Sequence, residues 1–492
     1  MRDDDGPGPL TPASPSGAAK CRRASGIGCL DMGVADRPIR VRMAPSPTGF
    51  VHLGSARTAL FNLLFARAQG GVFVLRIEDT DLERGSLEYE NAIYEAFRWL
   101  GLDWDEGPDV GGPHGPYRQS ERLDFYRERA ARLLDSKQAY RCYCTPQELE
   151  AERRAAEAAH LPYRYSRRCL KDPPRDRHEF TVRFLVPGGH VKFGDLIKGS
   201  MDFDSDLIGD FVIVKSNGFP TYNFAAAVDD VAMRVTHVLR GEEHLSNTPS
   251  QLMVLDALGE GRPEFYGHLP QILGRDRAKL SKRKHPEARL GLYREQGYLP
   301  EALVNYMALL GWNPGTEQEI FTFDELVAAF SLERVQKSGA VFDWEKLDWI
   351  DGQYIRALSD EELAQRLMPF LPELDADTVT RAAPALRERL KRLGDARELL
   401  DYLWEEPPPP ELDPDSIARV RAALDALREL DWTPERIEAA LERLREDQGW
   451  SRNQLFKPLR AAVARAVSPP IHHTLALLAK DEALRRLRRA AL

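Results

Sequence analysis

The amino-acid sequence predicts an α/β fold: a doubly wound parallel sheet, followed by an all-helical final third. Three observations predict it. The ordered sequence opens with strand, loop, helix and strand between Ile39 and Ile77. Two further runs of strand length, Asp210–Lys215 and Val235–Arg240, follow in the middle of the chain. From about Leu358 onward almost every segment is rich in Leu, Ala, Arg and Glu at helical spacing.

Each element has a local reason. Ile39-Arg40-Val41-Arg42-Met43 alternates apolar and polar residues as a strand does, and Ala44-Pro45-Ser46-Pro47-Thr48-Gly49 stops it with two prolines and a glycine. Ala56, Ala59, Leu60, Leu63 and Leu64 recur at helical spacing, which predicts an amphipathic helix over Gly54–Gln69. Gly70-Gly71 ends that helix, and Val72–Ile77 is a continuous apolar run of the kind buried in parallel sheets. Strand, helix and strand make a βαβ unit, the start of a doubly wound sheet. The helical final third is punctuated at Pro407–Pro410 and Pro469-Pro470. Before all of this, residues 1–37 are Gly/Pro/Ser/Ala-rich with nothing periodic to bury, and are expected to be a disordered tail. Met32 is a plausible initiator, and Cys21 and Cys29 in the tail are expected to have no role.

Composition narrows the class. At about 150 residues per domain, 492 residues predict several domains with ample core. No apolar stretch approaches the ~18 residues of a membrane helix, so no membrane partner is expected. Lys+Arg is 68 and Asp+Glu 77, a net charge of −9, which excludes a uniformly basic nucleic-acid binder but leaves room for a local basic face. Five cysteines in such a length make no disulfide framework, and with no signal-peptide pattern they point to a reducing cytoplasm.

Two constellations carry chemistry. His52-Leu53-Gly54-Ser55 begins the first helix, where free N–H groups and a partial positive charge suit phosphate. Lys279-Leu280-Ser281-Lys282-Arg283-Lys284 is a basic loop. Alone it could be a solvated charge run, but lysines on a loop also neutralise a triphosphate and its departing pyrophosphate.

Taken together, these two motifs resemble the paired signatures of class I aminoacyl-tRNA synthetases. Four further segments resemble the bacterial glutamyl-tRNA synthetases: Arg76-Ile77-Glu78-Asp79-Thr80-Asp81, Gly107 to Arg122, Phe219-Pro220-Thr221-Tyr222 and Arg240-Gly241-Glu242-Glu243-His244. The likeness runs in order from about residue 38 to the C-terminus. It implies a Rossmann-type doubly wound catalytic domain with an α+β insertion, then an all-α anticodon-binding region. The expected bounds are 38–136 and 236–360 for the catalytic halves, 137–235 for the acceptor-binding insertion and 361–492 for the anticodon region. The resemblance implies that L-glutamate and ATP with Mg²⁺ form glutamyl-adenylate, that glutamate passes to the 3′ end of tRNA(Glu), and that tRNA is needed before activation. A cytoplasmic monomer is expected. By the same resemblance Arg42, Ala44, Ser46, Glu78, Tyr222 and Arg240 bind glutamate. His52, Gly54, Glu243, Lys279, Ser281 and Lys282 bind ATP, with His52, Lys279 and Lys282 acting on the reacting phosphates. Guanidinium forks suit a dicarboxylate, and a phenol adds a neutral donor. Ala226 stands where some relatives have asparagine, so that polar contact is not expected here.

Cys142-x-Cys144 followed after 24 residues by Cys169 is zinc-ligand chemistry that lacks a fourth donor. Relatives can carry a histidine two residues after the last cysteine, where this chain has Lys171; Tyr165, which matches a ligand in relatives, or His178 would complete a structural Zn²⁺ site, the alternative being three reduced thiols. From 451 to 492 nine Lys/Arg stand against two acids, as a solvated last helix or an RNA-facing surface would have. Arg389 matches the position of an anticodon-reading arginine. Four rivals fit less well: a glutamyl-queuosine-tRNA synthetase, which lacks the helical third; a glutaminyl enzyme, which ends in β-barrels; a small nucleotidyltransferase, which has no need of the helical third; and a non-catalytic RNA-binding paralogue, against which His52, Lys279 and Lys282 speak.

Overall fold

Arg40–Met43 forms strand β1, and Val72–Leu75 forms β2 parallel to it in register, Val41 opposite Phe73 and Met43 opposite Leu75. The computed structural model describes residues 38–81, 86–281, 284–465 and 467–492. The tail 1–37, with Cys21, Cys29 and Met32, lies outside the described residues, as do Lys282 and Arg283. Helix α1 (Leu53–Ala68) makes the crossover, with His52 as its N-cap. The expected amphipathic helix is in fact buried on nearly every face, because the sheet covers one side and two later helices cover the other. Its polar residues survive burial by finding carbonyls: Arg57 donates to Leu310 O at 3.1 Å and to Pro270 O, and Asn62 donates to Leu239 O at 3.1 Å. The run Val72–Ile77 leaves the β1 ladder after Leu75, and Ile77 continues it as a bridge to Arg118.

Helix α2 (Leu87–Trp99) is capped by Ser86, and α3 (Leu123–Asp135) leads into the middle region. There β3 (Ala139–Cys142), β4 (Thr181–Phe184) and β7 (Val212–Val214) form an antiparallel sheet in the order β3-β4-β7, beside α4 (Pro146–Ala158) and the single turn α5 (Arg168–Lys171). Strands β5 (His190–Asp195) and β6 (Gly199–Asp204) leave this group. They join β9 (Phe265–Leu269) and β8 (His237–Gly241) in a second sheet ordered β6-β5-β9-β8, in which β5, β9 and β8 are parallel. Thr236 N–H donates to Arg40 O at 2.9 Å, so β8 begins beside β1. The parallel strands thus run β2-β1-β8-β9-β5, with their carboxyl ends together. Helices α6 (Tyr222–Ala232) and α7 (Thr248–Leu258) flank them.

Beyond the short parallel pair β10 (Ile272–Leu273) and β11 (Ala340–Val341), the chain is helical. It runs through α8 (Leu290–Gln296), α9 (Pro300–Leu309), α10 (Phe323–Ala329) and α11 (Trp344–Ala357). The final third holds α12 (Asp360–Leu367), α13 (Ala376–Leu386), α14 (Ala396–Leu400), α15 (Pro414–Leu427), α16 (Pro434–Asp447), α17 (Arg452–Val463), α18 (Ile471–Leu477) and α19 (Lys480–Ala490). Ser359, Asp375, Asp413, Thr433 and Ser451 cap five of these helices, each accepting a backbone N–H three residues on. The change in composition near Leu358 is no break in the core: one apolar cluster runs from Val41 through Leu303 and Leu386 to Leu487. Leu393 N–H donates to Gly297 O at 2.9 Å. A Cβ on Gly394 would meet Gln296 O at 2.5 Å, so only glycine lets the two backbones approach this closely.

Candidate active site

In a doubly wound sheet ligands lie outside the carboxyl ends of the parallel strands, and two adjoining cavities open there. The first, about 220 Å³, lies at the N-terminus of α1 between His52, Gly54, Glu243, Gln271 and Lys279. His52 Nδ1 accepts the Gly54 N–H at 3.0 Å. A Cβ on Gly54 would press within 3.2 Å of that ring nitrogen, which is why the tight start of the helix suits glycine. Lys279 Nζ stands 3.9 Å from the Glu243 carboxylate, both side chains half exposed. Ser281 turns its backbone N–H to His285 Nδ1 at 3.2 Å.

The second cavity, about 100 Å³, is bounded by Arg42, Ala44, Tyr222, Arg240 and His244. It shares Gly54, Ser55, Thr58, Gly241 and Glu243 with the first. A small molecule in one would therefore touch a larger one in the other. Ser46, by contrast, is exposed on the loop after β1 and lines neither cavity. Glu78 also stands back from both, with its carboxylate accepting Arg76 Nη2 at 3.0 Å. Burial raises its carboxyl pKa above the usual range, against the pull of Arg76 and Arg42. Ala226 is fully buried in α6.

The arginines are held from behind. Arg42 gives Nε and Nη2 to Asp230 at 3.0 and 3.2 Å and Nη1 to Leu239 O at 3.4 Å, and it lines the cavity. Arg76 gives Nη1 to the same carboxylate at 2.7 Å. Burial works to raise Asp230, but the two guanidiniums hold it below the ordinary carboxylate range. Arg240 gives Nε to His268 Nε2 at 3.1 Å and Nη2 to Thr248 Oγ1 at 2.8 Å, while Nη1 faces Tyr222 Oη at 3.4 Å. Burial, with the charges of Arg240 and Arg42, drives the His244 pKa down to about 4, so its ring is neutral at pH 7. Sequence reasoning missed Asp195, Asp230, Thr248 and His268, because nothing in their local sequence marks them.

The profile for the tRNA synthetases class I (E and Q), catalytic domain, matches residues 38–349, and that for an anticodon binding domain matches residues 362–491. The glutamate–tRNA ligase of Symbiobacterium thermophilum is 44% identical over 482 residues, 91% of this chain and 99% of that one. That of Heliobacterium modesticaldum is 47% identical over 482 residues, covering 92% and 97%. This chain belongs to the glutamate–tRNA ligases, among the class I tRNA synthetases. A crystal structure of a glutamate tRNA ligase from Elizabethkingia meningosepticum in complex with its amino acid agrees with this fold at a TM-score of 0.81 and 32% identity, covering 92% of this chain and 99% of that one. A ligase of this family is a class I catalytic domain with a helical anticodon domain after it, and the helices from α12 onward are where the second profile lies.

Away from the sheet, Cys142, Cys144 and Cys169 bring their sulfurs within 4.8 Å of one another, with Cys144 and Cys169 at 3.5 Å. Tyr165 Oη lies 3.4 Å from Cys142 Sγ and 3.2 Å from Cys144 Sγ. His178 is not among the groups gathered there. Sulfurs around a tetrahedral zinc sit roughly 3.8 Å apart for Zn–S bonds of ~2.3 Å. Three soft donors and a phenol oxygen in so small a volume fit a metal ion of that kind.

Arg452, Arg465, Arg485, Arg486 and Arg489 are ion-paired to acids of the chain itself, and Lys480 donates to Leu430 O. Arg389 stands exposed on the turn after α13 and makes no ion pair among the described residues. Arg460 lies close enough that burial and the Arg389 charge together lower its pKa.

Proposed function

We infer that this chain activates L-glutamate with ATP·Mg²⁺ as glutamyl-adenylate and passes the glutamyl group to the 3′ end of tRNA(Glu), releasing pyrophosphate and AMP. The observation that carries this reading is the pair of joined cavities, one lined by guanidinium and phenol donors and the other by a helix N-terminus, His52 and Lys279. Glutamate occupies the smaller cavity, its carboxylates facing Nη1 of Arg240 and the guanidinium edge of Arg42, and Tyr222 adds a hydroxyl. ATP occupies the larger, with its phosphates at the start of α1. The α-carboxylate then attacks the α-phosphorus in line. No covalent nucleophile is required, so His52, the helix N-terminus and Lys279 act by positioning and by meeting charge that grows on the phosphate oxygens. Lys282, outside the described residues, has the same role. In the second step a terminal ribose hydroxyl of tRNA attacks the acyl carbon. Glu78 supports the pocket through Arg76 and is the carboxylate for the substrate ammonium.

We place a structural Zn²⁺ on Cys142, Cys144, Cys169 and Tyr165, where it would tie the end of β3 to α5. Metal analysis of the purified chain is expected to find about one zinc per molecule, and Cys144→Ser is expected to lose it. Zinc-free wild-type protein would contradict the site.

We assign Arg389, exposed on the turn after α13, to the reading of the anticodon. The glutamate and glutamine anticodons differ at their last base, C against G. Cytosine offers its N3 and O2 acceptors on its pairing edge, whereas guanine presents N1–H and N2–H donors beside its O6, and a guanidinium leaves those donors unpaired. Arg389→Gln is therefore expected to raise charging of glutamine tRNA relative to glutamate tRNA roughly tenfold, from about 1.4 kcal/mol of lost selectivity. The kcat/KM ratio for the two purified tRNAs checks it; an unmoved ratio would make Arg389 an ordinary solvated arginine. The function as a whole is tested by charging purified tRNA(Glu) with labelled glutamate.

A further inference from the structure

We propose that the buried pair Asp195–His268 is a positioning device that aims the Arg240 guanidinium at the substrate carboxylate. The proposal rests on the reading above, in which Arg240 receives glutamate. Asp195 ends β5, His268 lies in β9 and Arg240 in β8, three adjacent parallel strands with Arg240 and His268 directly opposite in register. Both side chains of the pair are fully buried. Asp195 Oδ1 accepts the N–H groups of Ile197 at 2.9 Å and Lys198 at 2.7 Å, and Oδ2 lies 2.5 Å from His268 Nδ1.

The chemistry fixes the tautomer. A guanidinium only donates, so the His268 Nε2 that faces Arg240 Nε must carry a lone pair. The ring proton is then on Nδ1 and points at Asp195. Two back-facing donors of Arg240 are thus engaged, Nε on His268 and Nη2 on Thr248, and Nη1 is left on the cavity side with Tyr222. An arginine side chain loses much rotamer freedom when it binds a ligand. Contacts that fix it beforehand lower that cost, and they act on affinity for the molecule that Arg240 holds.

A purely structural role, tying β5 to β9, makes the opposite demand on substitutions at residue 268. His268→Asn keeps an N–H within reach of Asp195 but ends short of Arg240. His268→Gln reaches Arg240 with a carbonyl acceptor and gives up the Asp195 bond. Positioning therefore expects His268→Asn to raise KM for glutamate about tenfold, with KM for ATP and kcat within about twofold, and His268→Gln to recover most of the loss. Equal KM values in both variants, or a worse value in the Gln variant, would overturn the proposal, as would KM changes shared equally by ATP and glutamate. A collapse of the fold in the Gln variant while the Asn variant binds glutamate normally would also overturn it, assigning the pair to stability. Arg240→Lys in the same assay separates the two readings. If it leaves KM for glutamate unchanged, the role of Arg240 itself fails; if it raises KM and His268→Asn does not, only the positioning role fails.

Discussion

Replacing Lys279 by alanine is expected to lower glutamate-dependent ATP–pyrophosphate exchange about a hundredfold while leaving tRNA affinity nearly unchanged. Its ammonium lies on the rim of the cavity at the start of α1, 3.9 Å from Glu243 and half exposed, where it can turn to a phosphate without a large desolvation cost. A preorganised donor to charge that grows in the transition state is worth about 3 kcal/mol, and 1.36 kcal/mol is tenfold in rate. The loss should fall on kcat, because the contact strengthens as pyrophosphate leaves. Steady-state exchange, with tRNA binding measured in parallel, checks it. A variant exchanging at the wild-type rate would remove Lys279 from the phosphate site.

Asp230→Asn is expected to cost about 3–5 kcal/mol of folding stability, the range for removing one partner of a buried ion pair. Its carboxylate is shared by Arg42 and Arg76, and its side chain is 3% exposed. The amide would leave two buried guanidiniums short of charge. The pH dependence has a definite sign. The folded pKa lies below its unfolded value of about 3.9. The carboxylate's contribution is therefore complete above about pH 4 and is lost as pH falls through the folded pKa. The gap between wild type and variant should be full at pH 7 and shrink in acid. Urea unfolding at pH 7 and in acid checks this, and a difference under about 1 kcal/mol at pH 7 would show that the network relaxes around the change.

The start of the site is legible because it is punctuated locally. Two prolines and a glycine end β1, His52 begins a helix whose apolar residues recur, and Gly54 leaves room for the cap. Lys279, Arg240 and Tyr222, each part of a short run with its own signature, line the two cavities. The residues behind them were not legible. Asp195 meets His268 across 73 positions of chain, and Asp230 meets Arg42 across 188. Such pairs are decided by strand order, which no local window contains. The same limit explains α1, where Arg57 and Asn62 look like a solvent face until carbonyls from distant segments cover them. It also hides the partners of the terminal arginines, since Glu406 receives both Arg485 and Arg489 across some eighty positions of chain.

The central claim is that the two joined cavities unite glutamate with ATP. It is tested most directly by ATP–pyrophosphate exchange on the purified full chain with tRNA(Glu) present, comparing glutamate with glutamine. The arginine-lined pocket predicts robust exchange with glutamate and at least tenfold less with glutamine, whose carboxamide gives the Arg240 and Arg42 guanidiniums a weaker acceptor and no charge. Equal exchange with the two amino acids, or none with glutamate, would contradict it.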